Sequence, residues 1–416
     1  MLLVFKVIVE QKHCSVNCSE GPQPLPARDK PTASFLHVQS AKVLFRRMRC
    51  FAHVVVFIFY NAKVKTWDVI VVGAGVIGLT LARELCKAGA TVLVLERGEA
   101  GREASYAAGG MLADCGDETP RQLQELASLS ARMYPEFAHE LQDESGVQVD
   151  LRGQGTIAFT ALQHSCLHPS SIALSLAEVE SREPELVAPS PVAAFLPERS
   201  VDPRALTAAA LKACLHREVV IASGAEVTSI NVSQGRVTSV TTTKTSYHAP
   251  IAVNCAGAWA GQLGPFRLPV RPVRGQMLAV VMPRREYLKH VIRTSDVYLI
   301  PRSNGRMLIG ATVEEAGFDK RTIRQTIHSL HAAALRLMPG LVEAKILEDW
   351  AGLRPGTVDD LPILGRTDVD GYFVATGHYR DGILLAPITA TVMATLIGGG
   401  KPGCDLAAFS PLRFNA

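Results

Sequence analysis

Three glycines set the first chemical constraint on this chain. In "DVIVVGAGVIGLTLARELCKAGATVLVLERG" (68–98), Gly73, Gly75 and Gly78 stand at G-x-G-x-x-G spacing directly after an apolar, β-branched run at 69–72. In a dinucleotide-binding turn, Gly73 permits the tight bend, Gly75 lets the backbone approach a pyrophosphate, and Gly78 lets the following helix pack close to the strand. The run at 69–72 reads as a strand buried on both faces. Leu79, Ala82, Leu85 and Cys86 then recur at helical spacing. "TVLVLE" supplies a second strand ending in Glu96, 18 positions after Gly78. That is near the spacing of a carboxylate that accepts from a ribose hydroxyl and repels a 2′-phosphate, which disfavours NADP. These residues specify a dinucleotide and leave NAD and FAD open.

A second segment separates the two. "GREASYAAGGMLA" (101–113) strings Ala104, Ser105, Ala107, Ala108, Gly109 and Gly110 around one tyrosine and ends in Met111-Leu112-Ala113. Side chains this small let backbone amides and a flat ring system come to contact distance. An NAD-binding unit has no use for such a stretch, so FAD is the expected cofactor. Near the C-terminus, "VATGHYRDGILLAPITA" (374–390) ends a strand-like run in His378, Tyr379, Arg380 and an Asp381-Gly382 turn, then restarts as an apolar helix. Charged and aromatic residues in so short a corner mark a second candidate site.

Size and composition bound what surrounds these motifs. A chain of 416 residues suffices for one large core or two domains sharing an interface. With 48% hydrophobic and 20% charged residues it reads as a globular enzyme rather than a disordered chain. A net charge of +4 without basic runs gives no reason to expect a nucleic-acid partner. The nine cysteines show no CxxC pair and no metal-ligand spacing with histidine, as expected of idle thiols in a reducing compartment. His328 and His331 are three apart without a third ligand and are read as packing or solvent-facing residues. Residues 1–63 form a poorly defined extension, in which "RRMRCFAHVVVFIFY" (46–60) puts basic residues before an apolar run. That run is shorter than the ~20 residues a bilayer span requires. A cytoplasmic enzyme is therefore expected, with membrane association through 46–60 as the minority reading.

Four stretches in order, "VVGAGVIGLTLARELCKAGATVLVLERG", "EASYAAGGMLA", "WAGLRPGTVDDLPILGR" (350–366) and "ATGHYRDGILLAP" (375–387), resemble the FAD-dependent D-amino acid oxidase superfamily. Within it they look most like glycine oxidase, the branch associated with thiamine biosynthesis, and the resemblance runs from about Trp67 to the C-terminus. It implies that Val76 and Ile77 lie over the FAD pyrophosphate and that Glu96 and Arg97 flank the adenosine ribose. Ala104, Ser105, Gly109, Gly110 and Met111 would line the flavin side, Val227 would meet the adenine, and His378 to Leu384 (including Tyr379, Arg380, Asp381, Gly382 and Ile383) would wrap the flavin. Arg354 would pair with the substrate carboxylate, Tyr298 would help hold it, and Arg380 would be a second substrate-side arginine. Val313 stands where a longer side chain would narrow the pocket. No cysteine follows "LRPGT", so noncovalent FAD is expected.

The implied architecture is α/β. A doubly wound, Rossmann-like FAD-binding domain (67–145, 198–268 and 346–416) is interleaved with an α+β substrate domain built on an antiparallel sheet (146–197 and 269–345). "RPVRGQMLAVVM", "VYLIPR" and "RMLIGAT" should be strands of the latter, and 320–340 an amphipathic helix stopped by Pro339 and Gly340. The helix of the C-terminal corner should start near Gly382. The expected reaction is hydride loss from the α-carbon of glycine or a small amino acid to flavin, with oxygen as acceptor and imine or glyoxylate, ammonia and peroxide as products. No catalytic acid or base stands out. A D-amino acid dehydrogenase, a sarcosine-type oxidase and a non-catalytic flavin-binding protein are the alternatives, and a homo-oligomer is implied by the resemblance alone.

Overall fold

In the computed structural model the described residues are 66–114, 119–159, 170–265, 267–282 and 287–414. The extension 1–63, with its apolar run, lies outside them. Val69–Val72 forms the strand its β-branched run requires, and it sits centrally in a six-stranded sheet. Edge to edge the order is Ile363–Arg366, Tyr372–Thr376, Ile251–Asn254, Val69–Val72, Val92–Glu96 and Val220–Ser223. Every neighbouring pair is parallel except the first, where Ile363–Arg366 runs antiparallel to Tyr372–Thr376.

Successive side chains of a strand point to opposite faces, so one apolar run serves two cores. Val69 and Val71 pack with the helices Val76–Lys87, Gln124–Ser145, Pro203–His216 and Ala386–Ile397. Ile70 and Val72 pack instead with Val227, Ile230, Val237 and Val240 of a three-stranded antiparallel sheet, Val227–Ser233, Arg236–Thr242 and Ser246–His248. One face of the parallel sheet is thus covered by helices and the other by a small β-meander.

The second large sheet has eight strands, in the order Lys345–Gly356, Arg271–Val281, Arg306–Gly310, Tyr298–Pro301, Val291–Arg293, Thr156–Ala158, Ala193–Leu196 and Ile172–Leu174. It is antiparallel throughout except where Val291–Arg293 lies parallel to Thr156–Ala158. The sequence pattern groups 346–416 with the cofactor-binding segments, and Lys345–Gly356 is the strand at its start. It pairs along its length with Arg271–Val281, placing Val273 opposite Arg354. Register with a partner some 80 residues away, rather than chain continuity, decides where this strand goes. The helix expected over 320–340 spans Arg324–Leu337 and packs Ile327, Leu330, Ala334 and Leu337 into this sheet's core. It starts late because Ile323 N–H donates to Gln276 Oε1 at 2.6 Å, which holds the preceding residues in an extended path. Pro339 opens the 3₁₀ turn that follows it.

A buried cation knits the helix layer together. Arg83, 1% exposed on the first helix, donates to Glu140 (2.7 Å) and Glu144 (2.5 Å), and Arg217 also binds Glu144 (2.6 Å). Burial pushes the Glu144 carboxyl up, but the hydrogen bonds from Arg217 and Arg83 outweigh it and bring the pKa down to about 2. The folded value lies below the unfolded one, so this pair stabilises the fold above about pH 4.5 and the contribution fades as pH falls toward 2. Glu144→Gln is accordingly expected to cost roughly 2 kcal/mol at neutral pH. In urea midpoints measured from pH 7 down to about pH 2.5, the gap to the parent should begin to narrow below pH 4.5 and close toward pH 2, whereas a gap independent of pH would count against the pairing. Among the described residues no helix is long and apolar enough to cross a membrane.

Candidate active site

The carboxyl ends of the parallel strands open into a cavity of about 440 Å³, within the usual range for small-molecule sites. Its wall draws on both large sheets. Gly73, Gly75, Val76 and Ile77 come from the first turn, Val227 from the three-stranded sheet, and Tyr298 and Arg354 from the eight-stranded sheet. Of the residues singled out by sequence, all line this cavity except Gly78 and Leu384.

The glycine turn is shaped by close backbone approach. Gly73 has φ +103°, and a Cβ there would lie 2.5 Å from the Cys255 carbonyl oxygen. At Gly78 a Cβ would run into the Gly73 carbonyl, so this glycine serves helix packing without reaching the cavity wall. Val76 N–H, at the start of the helix, donates to Ser105 Oγ at 2.9 Å and ties the two ligand-hugging segments together. Glu96 is 8% exposed, and both its oxygens already accept backbone N–H groups, from Ala74 and Gly98, at 2.9 Å each. It therefore braces the turn, with lone pairs left over for a further donor. The Arg97 guanidinium lies 3.5 Å over the Trp259 ring and pairs with Glu103 at 2.8 Å. Trp259 and Glu103 also line the cavity, and the sequence reading passed over both.

The small-residue segment forms one helical turn, Ala104–Ala107, before the backbone straightens. A Cβ at Gly109 would lie 2.9 Å from Ile300 Cδ1, and one at Gly110 (φ +75°) would strike the Val201 carbonyl. Gly109 O accepts from the buried Arg302. Met111 follows at the cavity wall.

The C-terminal corner is built as a turn. Tyr379 takes φ +47°, and its N–H donates to Pro355 O at 3.0 Å, which fastens the corner to the strand that carries Arg354. His378 is 3% exposed and in hydrogen-bond contact with Thr389 Oγ1 at 3.1 Å. Burial pushes its pKa down to about 3, so the imidazole is neutral at working pH. Asp381, Gly382 and Ile383 complete the turn, and Leu384 is buried with its carbonyl accepting from Ser130 Oγ at 2.6 Å. The helix begins at Ala386, four residues later than expected from Gly382. Pro387 explains the delay: without an N–H it cannot bond to the Ile383 carbonyl, so it belongs in the first turn.

Arg354 carries the distinctive chemistry. Its Nη1 donates to Thr312 O at 3.0 Å and, more weakly, to Arg274 O at 3.4 Å. Among the described residues no carboxylate pairs with it, and Nε and Nη2 have no acceptor. The guanidinium lies against Gly275, where a Cβ would come within 2.5 Å of Nη2. A glycine inside a strand is a sign of such an approach, and "VRGQM" carried it unread. Tyr298 Oη donates to Met277 Sδ at 3.9 Å. Arg380 is exposed at the rim, with its guanidinium 5.3 Å from the Tyr379 ring centroid, and Val313 is half-exposed on the wall. Among the described residues no cluster of three metal-ligating side chains occurs.

The crowded glycines, the amide-rich turn and the small-residue segment sharing one cavity fit a flavin dinucleotide. A parallel sheet that carries such a turn, joined to a second sheet that carries a cation with no carboxylate partner among the described residues, fits a flavin-dependent oxidoreductase. The chain belongs to the FAD dependent oxidoreductase family, whose profile matches residues 68–396. It is 35% identical over 365 residues to the glycine oxidase of Pseudomonas aeruginosa, covering 82% of this chain and 98% of that one. It is 36% identical to the bifunctional protein ThiO/ThiG of Synechocystis sp., covering 84% of this chain but only 54%, about half, of that protein. Its structure is similar to the crystal structure of glycine oxidase from Geobacillus kaustophilus, with a TM-score of 0.79 and 31% identity, covering 84% of this chain and 99% of that one. The protein is thus an FAD-dependent oxidoreductase.

Proposed function

We propose that this enzyme oxidises glycine or another small amino acid at its α-carbon, using noncovalent FAD and oxygen, and that the product serves thiamine (thiazole) synthesis. The carrying observation is Arg354, a cationic fork with no carboxylate partner among the described residues, in the cavity that also holds the glycine turn. A planar guanidinium binds an α-carboxylate through two parallel hydrogen bonds, which a lysine cannot reproduce. The names of the similar glycine oxidases support the substrate class, and ThiO/ThiG supports the pathway.

Bound FAD would supply a two-electron acceptor for the α-hydride, with oxygen as the final acceptor. The residues of this chain do the placing. Arg354 fixes the carboxylate, with Tyr298 on the same cavity wall, so that the α-carbon is held in one orientation. Neutral His378 adds no competing cation. Loss of the hydride and an amine proton leaves an imine, and water converts the imine from glycine to glyoxylate and ammonia. Oxygen uptake with glycine, sarcosine, D-alanine and D-proline tests this, with peroxide, ammonia and glyoxylate measured alongside. Glycine should consume oxygen and yield all three in equal amounts. Absence of turnover with every one of these amino acids would refute the reading.

A further inference from the structure

Arg354 is aimed by two backbone carbonyls, and both belong to one small knot. Arg274 and Glu314 exchange backbone hydrogen bonds, N–H of Arg274 to Glu314 O at 2.8 Å and N–H of Glu314 to Arg274 O at 2.9 Å. That bridge sets the Arg274 carbonyl and brings the Thr312 carbonyl, two residues before Glu314, against Arg354 Nη1. The Glu314 side chain then ties the knot from below. Its Oε1 accepts from the Thr312 hydroxyl and from Gln276 Nε2 at 2.7 Å, and its Oε2 accepts from Arg274 Nε at 3.0 Å and Nη2 at 2.5 Å. Thr312 Oγ1 in turn accepts from Gln276 N–H at 2.9 Å, and fully buried Gln276 takes the Ile323 N–H on its Oε1. Thr312 and Gln276 thus have both donor and acceptor in use, so the Thr312 carbonyl has little room to swing.

We infer that Glu314 is a positioning residue that acts through Arg354: by locking the Thr312 and Arg274 carbonyls, it fixes the guanidinium in the orientation that receives a substrate carboxylate. The inference rests on the reading of Arg354 as the carboxylate anchor. Glu314 touches neither substrate nor cofactor in this account. A guanidinium on a four-bond stem has many rotamers, and holding Nη1 on two fixed carbonyls leaves Nε and Nη2 for a substrate carboxylate. Asp319, 3.4 Å from Arg274, secures Arg274 but has no contact with Thr312, so it does not duplicate the lock.

The test is a double-mutant cycle on the FAD-loaded enzyme with Glu314→Ala, Arg354→Leu and the pair. Glu314→Ala should raise KM for glycine about 30-fold with kcat within about threefold, and should add less than about twofold to the defect of Arg354→Leu. Acetate, a carboxylate without the amine, titrated against the flavin spectrum, should show a matching rise in Kd. Thr312→Val removes the hydroxyl's two hydrogen bonds, to Glu314 Oε1 and from Gln276 N–H, and leaves no charge unpaired. It should raise KM about fivefold, and it keeps the inference testable where Glu314→Ala does not fold. An unchanged KM in Thr312→Val and Glu314→Ala, or a Glu314→Ala effect that persists in full beside Arg354→Leu, would overturn the inference while Arg354 keeps its role. An Arg354→Leu enzyme with normal KM would instead bring down the anchor reading and this inference with it.

Discussion

Arg354→Leu is expected to lower kcat/KM for glycine by about three orders of magnitude, roughly 4 kcal/mol, while the purified protein stays yellow and its melting temperature changes little. A bidentate, charge-assisted pair desolvated in a cavity is among the stronger single contacts a protein makes. Arg354 has no ion-pair partner among the described residues, so leucine leaves no buried carboxylate behind. The fold loses two hydrogen bonds from the guanidinium to backbone carbonyls, one of them weak. Arg354→Lys should recover only part of the loss, because an ammonium offers one point of charge where the fork offers two aligned donors. Steady-state kinetics with glycine, beside the visible spectrum and a melting curve, separates the cases. A variant that loses colour with activity would mean that Arg354 holds the fold or the cofactor rather than the substrate.

Gly73→Ala should have the opposite signature: little protein that keeps its flavin, and a stability loss of several kcal/mol. The φ of +103° is unfavourable to any L side chain, and the added carbon would lie 2.5 Å from the Cys255 carbonyl oxygen. Neither strand can retreat, since Val72 and Cys255 are tied by a 2.8 Å hydrogen bond at that point. Gly89→Ala is the fitting control. Gly89 also has positive φ, +91°, but nothing lies within 4 Å of its added carbon. It should cost about 1 kcal/mol and leave FAD bound. Gel filtration followed by the ratio of flavin to protein absorbance measures both. Equal flavin retention in the two variants would show that the turn tolerates a side chain and that the backbone approach is unimportant.

These two residues also show what a single sequence can disclose. Gly73 was legible because its constraint is local: strand, turn, helix and closing acid all lie between positions 69 and 96, at fixed spacing. The strand Val69–Val72 and the helix Val76–Lys87 fall where that pattern put them. Arg354 could be singled out only through a resemblance, because what aims it comes from register. Gly275 makes its room, and Thr312 and Arg274 give it carbonyls, across separations of 42 and 80 positions. Arg83 with Glu140 and Glu144 was missed for the same reason, since nothing in a helical pattern says that an arginine on the buried face will meet two acids 57 and 61 residues on. Glu96 was found but only half understood: its spacing suggested a ribose, while the fold also uses it to clamp Ala74 and Gly98.

The most direct test of the central claim is the visible spectrum of the purified protein before and after glycine is added without oxygen. If Arg354 and the glycine turn serve one substrate and one flavin, the yellow absorbance should bleach on mixing and return when air is admitted. A yellow protein that neither glycine nor sarcosine, D-alanine or D-proline bleaches would contradict the account.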